Sequence, residues 1–199
     1  PYLINYTVTP FYPDPGPTES TSVDGRVGRV VATETLAVIR GGAGTEAIDD
    51  SDDLQAAQLA ASTTSPEYKE LYRSIYLFDS SSLPDGDDIN SAIFALFGAS
   101  KGNGLSGEAS ANSVLVLVAS TPATNTAVVS GDFSQFGSVD FGRSPQQDSF
   151  STTAYNNTTI NATGRSDISK TGVSKFGIRN GWDFDNTTTG LTWASGSTQ

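Results

Sequence analysis

The segment that most restricts the fold lies at residues 71–97, LYRSIYLFDSSSLPDGDDINSAIFALF, and is typical of two β-strands joined by a turn-rich loop. Its first part is rich in aromatic and β-branched residues and alternates two sets of side chains. The two sets are Tyr72, Ser74, Tyr76 and Phe78 on one face and Arg73, Ile75, Leu77 and Asp79 on the other. Pro84 and Gly86 then break regular structure, and the apolar run at 93–97 predicts a second strand.

Further strands are predicted along the chain. The run at 114–118, VLVLV, is continuously apolar, as expected of a strand buried on both faces. Residues 175–179 and 182–185 alternate apolar and polar side chains, which predicts two more strands. The Thr/Asn-rich segment at 155–160 is predicted as a further strand. Two apolar clusters between residues 26 and 40 predict one strand or a hairpin.

Helices are expected to be few and short. Acidic residues precede the Ala-rich run at 54–60, which favours one short helix through the helix dipole, and a second short helical piece is predicted within 122–135. Four prolines at 10–17 predict that residues 1–20 form an extended N-terminal arm, because proline lacks the N–H of a central strand. We therefore predict an all-β fold in which residues 21–199 form a single domain.

The charge of the chain narrows the choice of partners. Its 22 acidic and 11 basic residues give a net charge of −11, which repels phosphate backbones and argues against nucleic acid as a partner. No run of 18 apolar residues is present, so no membrane insertion is expected. With 26 serines and 23 threonines, much of the surface is expected to carry hydroxyl groups.

The chain contains no cysteine, histidine or methionine. Without cysteine and histidine it has no thiolate nucleophile and no Ser-His-Asp arrangement, and it lacks the commonest general base at neutral pH. No catalytic residue is predicted, and the chain is expected not to be an enzyme. A hydrolase would instead need two carboxylates about 5–10 Å apart in a cleft, and no motif places such a pair.

Two dense carboxylate clusters are candidate sites for a hard cation such as Ca²⁺, which takes oxygen ligands from loops. The alternatives are a helix N-terminus for the first cluster and a solvated turn for the second. Asp183 and Asp185, near Asp79, form a third, weaker candidate. The members of the two clusters are Asp49, Asp50, Asp52 and Asp53 in the first, and Asp85, Asp87 and Asp88 in the second.

Aromatic rings at exposed edges are candidates for stacking on sugars. Tyr155, Trp182 and Trp193 are the candidate rings, with Arg179 or Asp183 as polar partners. The alternative is that Trp182 lies in the core and Trp193 covers one end of it.

Five Asn-x-Ser/Thr sequons make the chain a candidate glycoprotein. They begin at Asn5, Asn156, Asn157, Asn161 and Asn186.

Residues 73–97 resemble the DNRLRE-type jelly-roll domains of phage-like and bacterial surface proteins. In that family a strand ending in Phe-Asp-x-Ser precedes a proline turn and an "I-x-x-A-x-L-x-L" strand. Blocks at 120–125, 132–137 and 168–177 extend the resemblance over about residues 10–195. The matching positions are Phe78, Asp79, Ser81, Pro84, Ile89, Ala92, Phe94 and Leu96.

The resemblance implies a two-sheet jelly-roll β-sandwich in a secreted, cell-surface or virion-associated module. Members of the family are often non-catalytic, and some relatives bind polysaccharide. Such domains usually finish with a closing "P-K-L-x-V-x-Y" strand, which this sequence lacks. Either that strand has been removed from the chain or another chain supplies it. An open sheet edge invites strand addition, so we expect assembly by strand donation, with residues 2–8 as one possible donor.

These observations lead to an expected function. We expect an extracellular, cell-surface or virion-associated structural or adhesive module, such as a virion appendage or filament subunit, that binds copies of itself or other assembly proteins. The alternative is a carbohydrate-binding module that targets polysaccharide. No cofactor is expected apart from the candidate Ca²⁺.

Overall fold

The computed structural model describes residues 7–14, 19–49, 57–102, 104–105, 107 and 110–198. Strands dominate these residues and all strand pairs are antiparallel, so the predicted all-β class is confirmed. The strands are β1 (Asp24–Glu34), β2 (Glu46–Ile48), β3 (Leu59–Ala61), β4 (Tyr68–Asp79), β5 (Ile93–Phe97), β6 (Leu115–Ala119), β7 (Gly142–Arg143), β8 (Tyr155–Thr159) and β9 (Val173–Asn180). The helices are α1 (Leu36–Gly41), α2 (Ala162–Ser166), α3 (Gly181–Asp185) and a 3₁₀ helix at Ser130–Ser134.

Seven of the strands form one sheet, and β5 and β8 form a separate two-stranded sheet. The large sheet has the order β2-β1-β4-β9-β6-β7. The short strand β3 also pairs with β4, on residues 68–71, while β9 pairs with residues 74–79. β4 therefore pairs with three strands of the large sheet, namely β1, β3 and β9.

The predicted alternation of β4 gives the large sheet two different faces. Leu71, Ile75 and Leu77 lie on one face, in a core with Trp182 and Phe133. This core is covered by α1, α3 and the 3₁₀ helix, which supply Ile39, Trp182 and Phe133 respectively.

The opposite face of the large sheet is aromatic and packs against the two-stranded sheet. Phe94 of β5 lies edge-on to Tyr76, Phe78 and Phe176, with ring centroids 5.3, 5.9 and 6.2 Å apart. Phe141 packs in turn on Phe176, at 6.3 Å. Edge-to-face geometry of this kind is favourable beyond simple area burial. β5 and β8 are held over the sheet by this aromatic cluster.

Three local predictions are wrong. The apolar cluster at 36–39 and the alternating segment at 182–185 were expected as strands, but they form α1 and α3. The Ala-rich run was expected as helix, but Leu59–Ala61 form β3, and residues 50–56 lie outside the described residues. In each case pairing or packing with a distant segment outweighs the local pattern.

The N-terminal arm, of which the structure describes residues 7–14 and 19–20, contains no helix or strand there. It is tied to the start of β1 by Asp14, whose carboxylate accepts hydrogen bonds from the backbone N–H groups of Ser20 and Thr21 at 2.9 and 2.7 Å. These bonds, the one from Thr21 above all, lower the pKa of Asp14. None of the helices in the described residues is both long and apolar enough to cross a membrane.

Candidate functional site

β5 has one edge that no other described strand covers. Its register with β8 pairs Phe94 with Thr158 and Leu96 with Asn156. Backbone bonds just beyond both ends of the ladder run from Ile160 to Ala92 and from Gly98 to Ala154. In an antiparallel pair the bonded positions alternate, so the even-numbered residues of β5 bond to β8.

The odd-numbered residues of β5 consequently direct their backbone groups away from β8. We call the N–H and C=O groups of Ile93, Ala95 and Phe97 the β5 edge. None of the hydrogen bonds among the described residues uses these groups. Unpaired edge groups of this kind form a template for another strand.

A cleft of about 2060 Å³ runs along the β5 edge. All five residues of β5 line it, with inward and outward side chains alike, as expected of a cleft that follows a backbone edge. Small-molecule sites usually occupy about 300–1,000 Å³. This interlayer cleft is therefore large enough for an extended polymer.

The floor of the interlayer cleft combines aromatic and polar groups from β1 and β4. Tyr76 and Phe78 supply rings, and Asp24 and Arg26 lie beside them on the same face. Burial raises the pKa of Asp24, since desolvation disfavours the carboxylate. Burial also raises the pKa of Tyr76, and the charge of Asp24 adds to this effect.

The N-terminal arm reaches the rim of the same cleft. Residues 7–14 all line it. Val8 is 90% exposed and Tyr12 is 74% exposed, which is unusual for apolar side chains so close together. The arm thus adds exposed apolar side chains to the lining of the cleft that also contains the β5 edge.

The outer face of the two-stranded sheet carries a second exposed apolar group. Ile93, Phe97 and Tyr155 are 62%, 59% and 63% exposed. Phe97 and Tyr155 are cross-strand partners whose ring centroids lie 5.4 Å apart. Asn157 and Thr159 lie on the same outer face. Tyr155 therefore has the exposure that a sugar-stacking ring requires.

The other two rings and the polar partners proposed for glycan contact are buried or half-buried, which corrects the exposed-ring interpretation and agrees with the alternative that Trp182 lies in the core. Trp182 is fully buried and its indole N–H donates to the carbonyl of Thr189 at 3.0 Å. Arg179 is buried beside Asp183. Trp193 is half-buried against the core, and its indole N–H donates to the carbonyl of Glu67 at 2.8 Å. These groups are not available as an exposed platform.

Asp183 is the centre of a buried ion cluster. Its carboxylate accepts two hydrogen bonds from Arg73, both at 2.8 Å, and two from Arg179, both at 2.9 Å. Arg40 adds a bond of 3.1 Å. Burial alone would raise the pKa of Asp183, but the bonds from Arg179 and Arg73 outweigh it and hold the pKa well below its usual range.

The ion cluster contains three guanidinium groups and one carboxylate, so it has excess positive charge. Aromatic rings and backbone carbonyls next to the guanidinium groups stabilise that charge. The guanidinium of Arg73 lies 4.2 Å from the ring centroid of Phe133, and that of Arg179 lies 5.4 Å from the ring of Phe184. Arg73 also donates to the carbonyls of Phe133 and Arg40. These hydrogen bonds and cation–π contacts of the arginines link α1, β4, β9 and α3.

Of the clustered carboxylates proposed for Ca²⁺, the structure describes those of Asp49, Asp85, Asp87 and Asp88. Asp49 accepts a bond from the backbone N–H of Val128 at 2.7 Å, and Asp50, Asp52 and Asp53 lie outside the described residues. Asp85, Asp87 and Asp88 lie in an exposed turn. The Lys170 ammonium there donates to the carbonyls of Asp85 and Asp87. Among the described residues, no group of three or more acidic side chains is placed to hold a metal ion.

The fold does not bring together the carboxylates of the third candidate cation site, Asp183 and Asp185 near Asp79. Asp183 contacts Arg73, whereas Asp79 lies six residues further along β4, about 20 Å away at strand spacing. Asp79 instead accepts a bond from the backbone N–H of Ser81. Asp185 pairs with Arg143, at 2.8 and 2.9 Å.

The sequon asparagines differ in their surroundings. Asn156 is buried, and its side chain bonds to the backbone N–H and C=O of Ser151. Asn161 is exposed but caps α2, whereas Asn157 and Asn186 are exposed. Asn5 lies outside the described residues.

Sequence reasoning identified Tyr155 but not the β5 edge or the interlayer cleft. The cleft lies between segments more than 60 residues apart, such as Asp24 and Phe94, so no local pattern marks it. The one relevant signal is the pair of segments at 93–97 and 155–160, which sequence analysis assigned as strands. Comparison with family models, curated proteins and solved structures finds no match for this chain, so its resemblance to the DNRLRE-type domains stays a prediction.

Proposed function

We propose that this chain is a non-enzymatic structural module that associates with further copies of itself through the β5 edge. The observation that carries the proposal is the row of unpaired backbone groups at Ile93, Ala95 and Phe97, next to a cleft large enough for another segment of chain. Strand addition to an open edge supplies affinity through main-chain hydrogen bonds and specificity through alternate side chains.

The finer architecture belongs to the same proposal. The two-stranded sheet packs on the aromatic face of the large sheet, as the second layer of a jelly-roll sandwich would. In that architecture a strand added to β5 completes the second layer. An extracellular, cell-surface or virion setting follows from the family resemblance, and the absence of cysteine and histidine supports a non-catalytic role.

Sedimentation velocity over a range of concentrations tests this function. We expect the chain to associate, and Ala95→Pro to abolish association. Proline removes the N–H of Ala95 at the β5 edge but none of the bonds to β8, since the even-numbered residues make those. Proline is tolerated on edge strands, and circular dichroism checks that the fold is retained.

Asn157→Pro is the matched control. Asn157 faces Ala95 across the ladder, and its N–H points away from β5, so this variant alters the other edge of the same sheet. Association should survive in Asn157→Pro. A chain that stays monomeric at every concentration would overturn the proposed function, and loss in Asn157→Pro alone would move the contact to the other edge.

Carbohydrate binding is the second candidate function, and the exposed pair Phe97 and Tyr155 favours it. Their rings lie on one outer face together with the polar side chains of Asn157 and Thr159, which could orient a sugar. Affinity electrophoresis in polysaccharide gels tests it. Tyr155→Ala should restore free migration in any gel that retards the parent chain, and free migration of the parent in all gels would dismiss this function.

A further inference from the structure

We propose that residues 2–8 of a second copy are the strand that adds to the β5 edge. This inference rests on the proposed self-association and names the segment responsible for it. The donor of one copy enters the interlayer cleft of the next, so that each copy both gives and receives a strand. Such a head-to-tail contact builds rings or filaments.

The sequence of the segment suits an added strand. In residues 2–8, YLINYTV, the apolar side chains Tyr2, Ile4, Tyr6 and Val8 recur at every second position. The alternate positions Leu3, Asn5 and Thr7 are mostly polar. A strand with this pattern has one face suited to a cleft and one suited to solvent.

The position of the arm supports the same assignment. Residues 7–14 line the rim of the cleft, and the segment continues from there towards residue 1. Seven residues are enough to span the five residues of β5. At 90% exposure, Val8 buries little of its surface within its own molecule, and docking on a second copy would cover it.

Charge also favours this segment as the contact. Each copy carries a net charge of −11, so two copies repel each other. The first charged side chain of the sequence is Asp14, so the donor segment brings no further negative side chain into the cleft. The cleft floor already holds the desolvated carboxylate of Asp24, to which a tyrosine hydroxyl of the donor could donate a hydrogen bond.

The alternation determines which donor residue faces which residue of β5. With Tyr2, Ile4 and Tyr6 directed into the cleft, towards the rings of Tyr76 and Phe78, Asn5 lies on the outer face. There it is the central outward residue of the donor, as Ala95 is of β5. A shift of one residue in the pairing of the donor with β5 would direct the alternate set of donor side chains into the cleft.

Cysteine cross-linking between two separate variants tests the assignment, because the chain has no cysteine of its own. Asn5→Cys and Ala95→Cys are prepared as single variants, one with a size tag, then mixed and oxidised. A disulfide joining the two is expected, since residues opposite each other on bonded strands have Cα atoms about 5.5 Å apart, within disulfide reach. Mixing ensures that the bond forms between copies.

Ile4→Cys mixed with Ala95→Cys is the matched control, and it should cross-link far less because the proposed alternation of the donor directs position 4 into the cleft. The second measurement is sedimentation of a variant that lacks residues 1–8, whose fold is checked by circular dichroism. This variant should be monomeric, while the parent chain associates.

The outcomes separate this inference from the proposed function. If the parent associates and the variant without residues 1–8 associates equally, the donor assignment is wrong although self-association holds. Equal cross-linking at positions 4 and 5 overturns the assignment as well. A monomeric parent overturns both proposals. A disulfide found only when Asn5→Cys and Ala95→Cys are in one chain shows that the arm binds its own molecule, which also overturns the inference.

Discussion

The buried carboxylate of Asp183 connects several elements of the fold. It is fully buried and accepts bonds from Arg40, Arg73 and Arg179, which belong to α1, β4 and β9. Without it, three guanidinium groups would lie close together with no negative partner. Removal of one member of a buried ion pair leaves an uncompensated charge, which costs more than the intact pair gains.

Asp183→Asn should therefore lower the free energy of unfolding by about 3–5 kcal/mol. Its control is Asp185→Asn on the same short helix, which breaks a partly exposed pair with Arg143 and should cost about 0–1 kcal/mol. Urea denaturation at neutral pH measures both. Because the folded-state pKa of Asp183 is lowered, its contribution is complete above the unfolded value near 3.8 and is lost at lower pH. Equal losses in the two variants would contradict the central role of Asp183.

Asp24 is expected to have the opposite effect on stability. Burial raises its folded-state pKa above its ordinary value of 3.8, so the ionised carboxylate destabilises the fold above the folded pKa, and this cost disappears as the pH falls below 3.8. Asp24→Asn should raise the melting temperature at pH 7 and leave it nearly unchanged at pH 3. Thermal melts at the two pH values measure this difference. A variant less stable than the parent at pH 7 would show that the charge has a stabilising partner.

At the scale of elements, β9 depends on a glycine in the middle of the large sheet. A Cβ atom on Gly177 would lie 2.5 Å from the ring of Phe136. That ring lies 5.7 Å from the guanidinium of Arg73, next to the ion cluster. The absence of a side chain at position 177 therefore leaves room for the ring of Phe136 against β9.

Gly177→Ala should destabilise the fold by about 1–3 kcal/mol, the usual cost of overpacking. Gly131→Ala is the control, because a Cβ atom there has nothing within 4 Å, and its effect should stay within about 0.5 kcal/mol. Chemical denaturation compares the two variants. If Gly177→Ala were neutral, Phe136 would have room to move.

At the scale of the whole molecule, association has to overcome repulsion between acidic copies. Each copy has a net charge of −11, and the donor segment of the proposed contact has no charged side chain. Salt screens repulsion over a Debye length of about 10 Å at 0.1 M and about 3 Å at 1 M.

Association should therefore become stronger as sodium chloride is added. Sedimentation equilibrium at low and high salt measures the change in the dissociation constant. The variant without residues 1–8 is the control and should remain monomeric at both salt concentrations. Weakening by salt would indicate a contact between opposite charges, and the donor strand would then not be the main interaction.

Much of β4 was predictable from the sequence, and so was the all-β class. The period of two at residues 72–79 places Ile75 and Leu77 in one core and Tyr76 and Phe78 in the other, because successive side chains of a strand point to opposite faces. Two shorter patterns, at residues 36–39 and 182–185, were misleading because they predicted strands where the structure has helices. Leu36 and Ile39 belong to a helix rather than a strand. Both side chains pack into the core on the face of β4 that also carries Arg73.

The candidate site was decided by the tertiary structure. The sequence identified Tyr155 and the strand at 93–97, but it could not show that β5 pairs on one side alone, because strand order depends on contacts between distant segments. It left open whether Trp182 is an exposed ring or part of the core, and it offered Arg179 and Asp183 as polar partners of an exposed ring. Packing with residues 40, 73 and 133 buries all three side chains. Local side-chain chemistry determines which faces are apolar, while the open edge and the cleft exist only once the two layers meet.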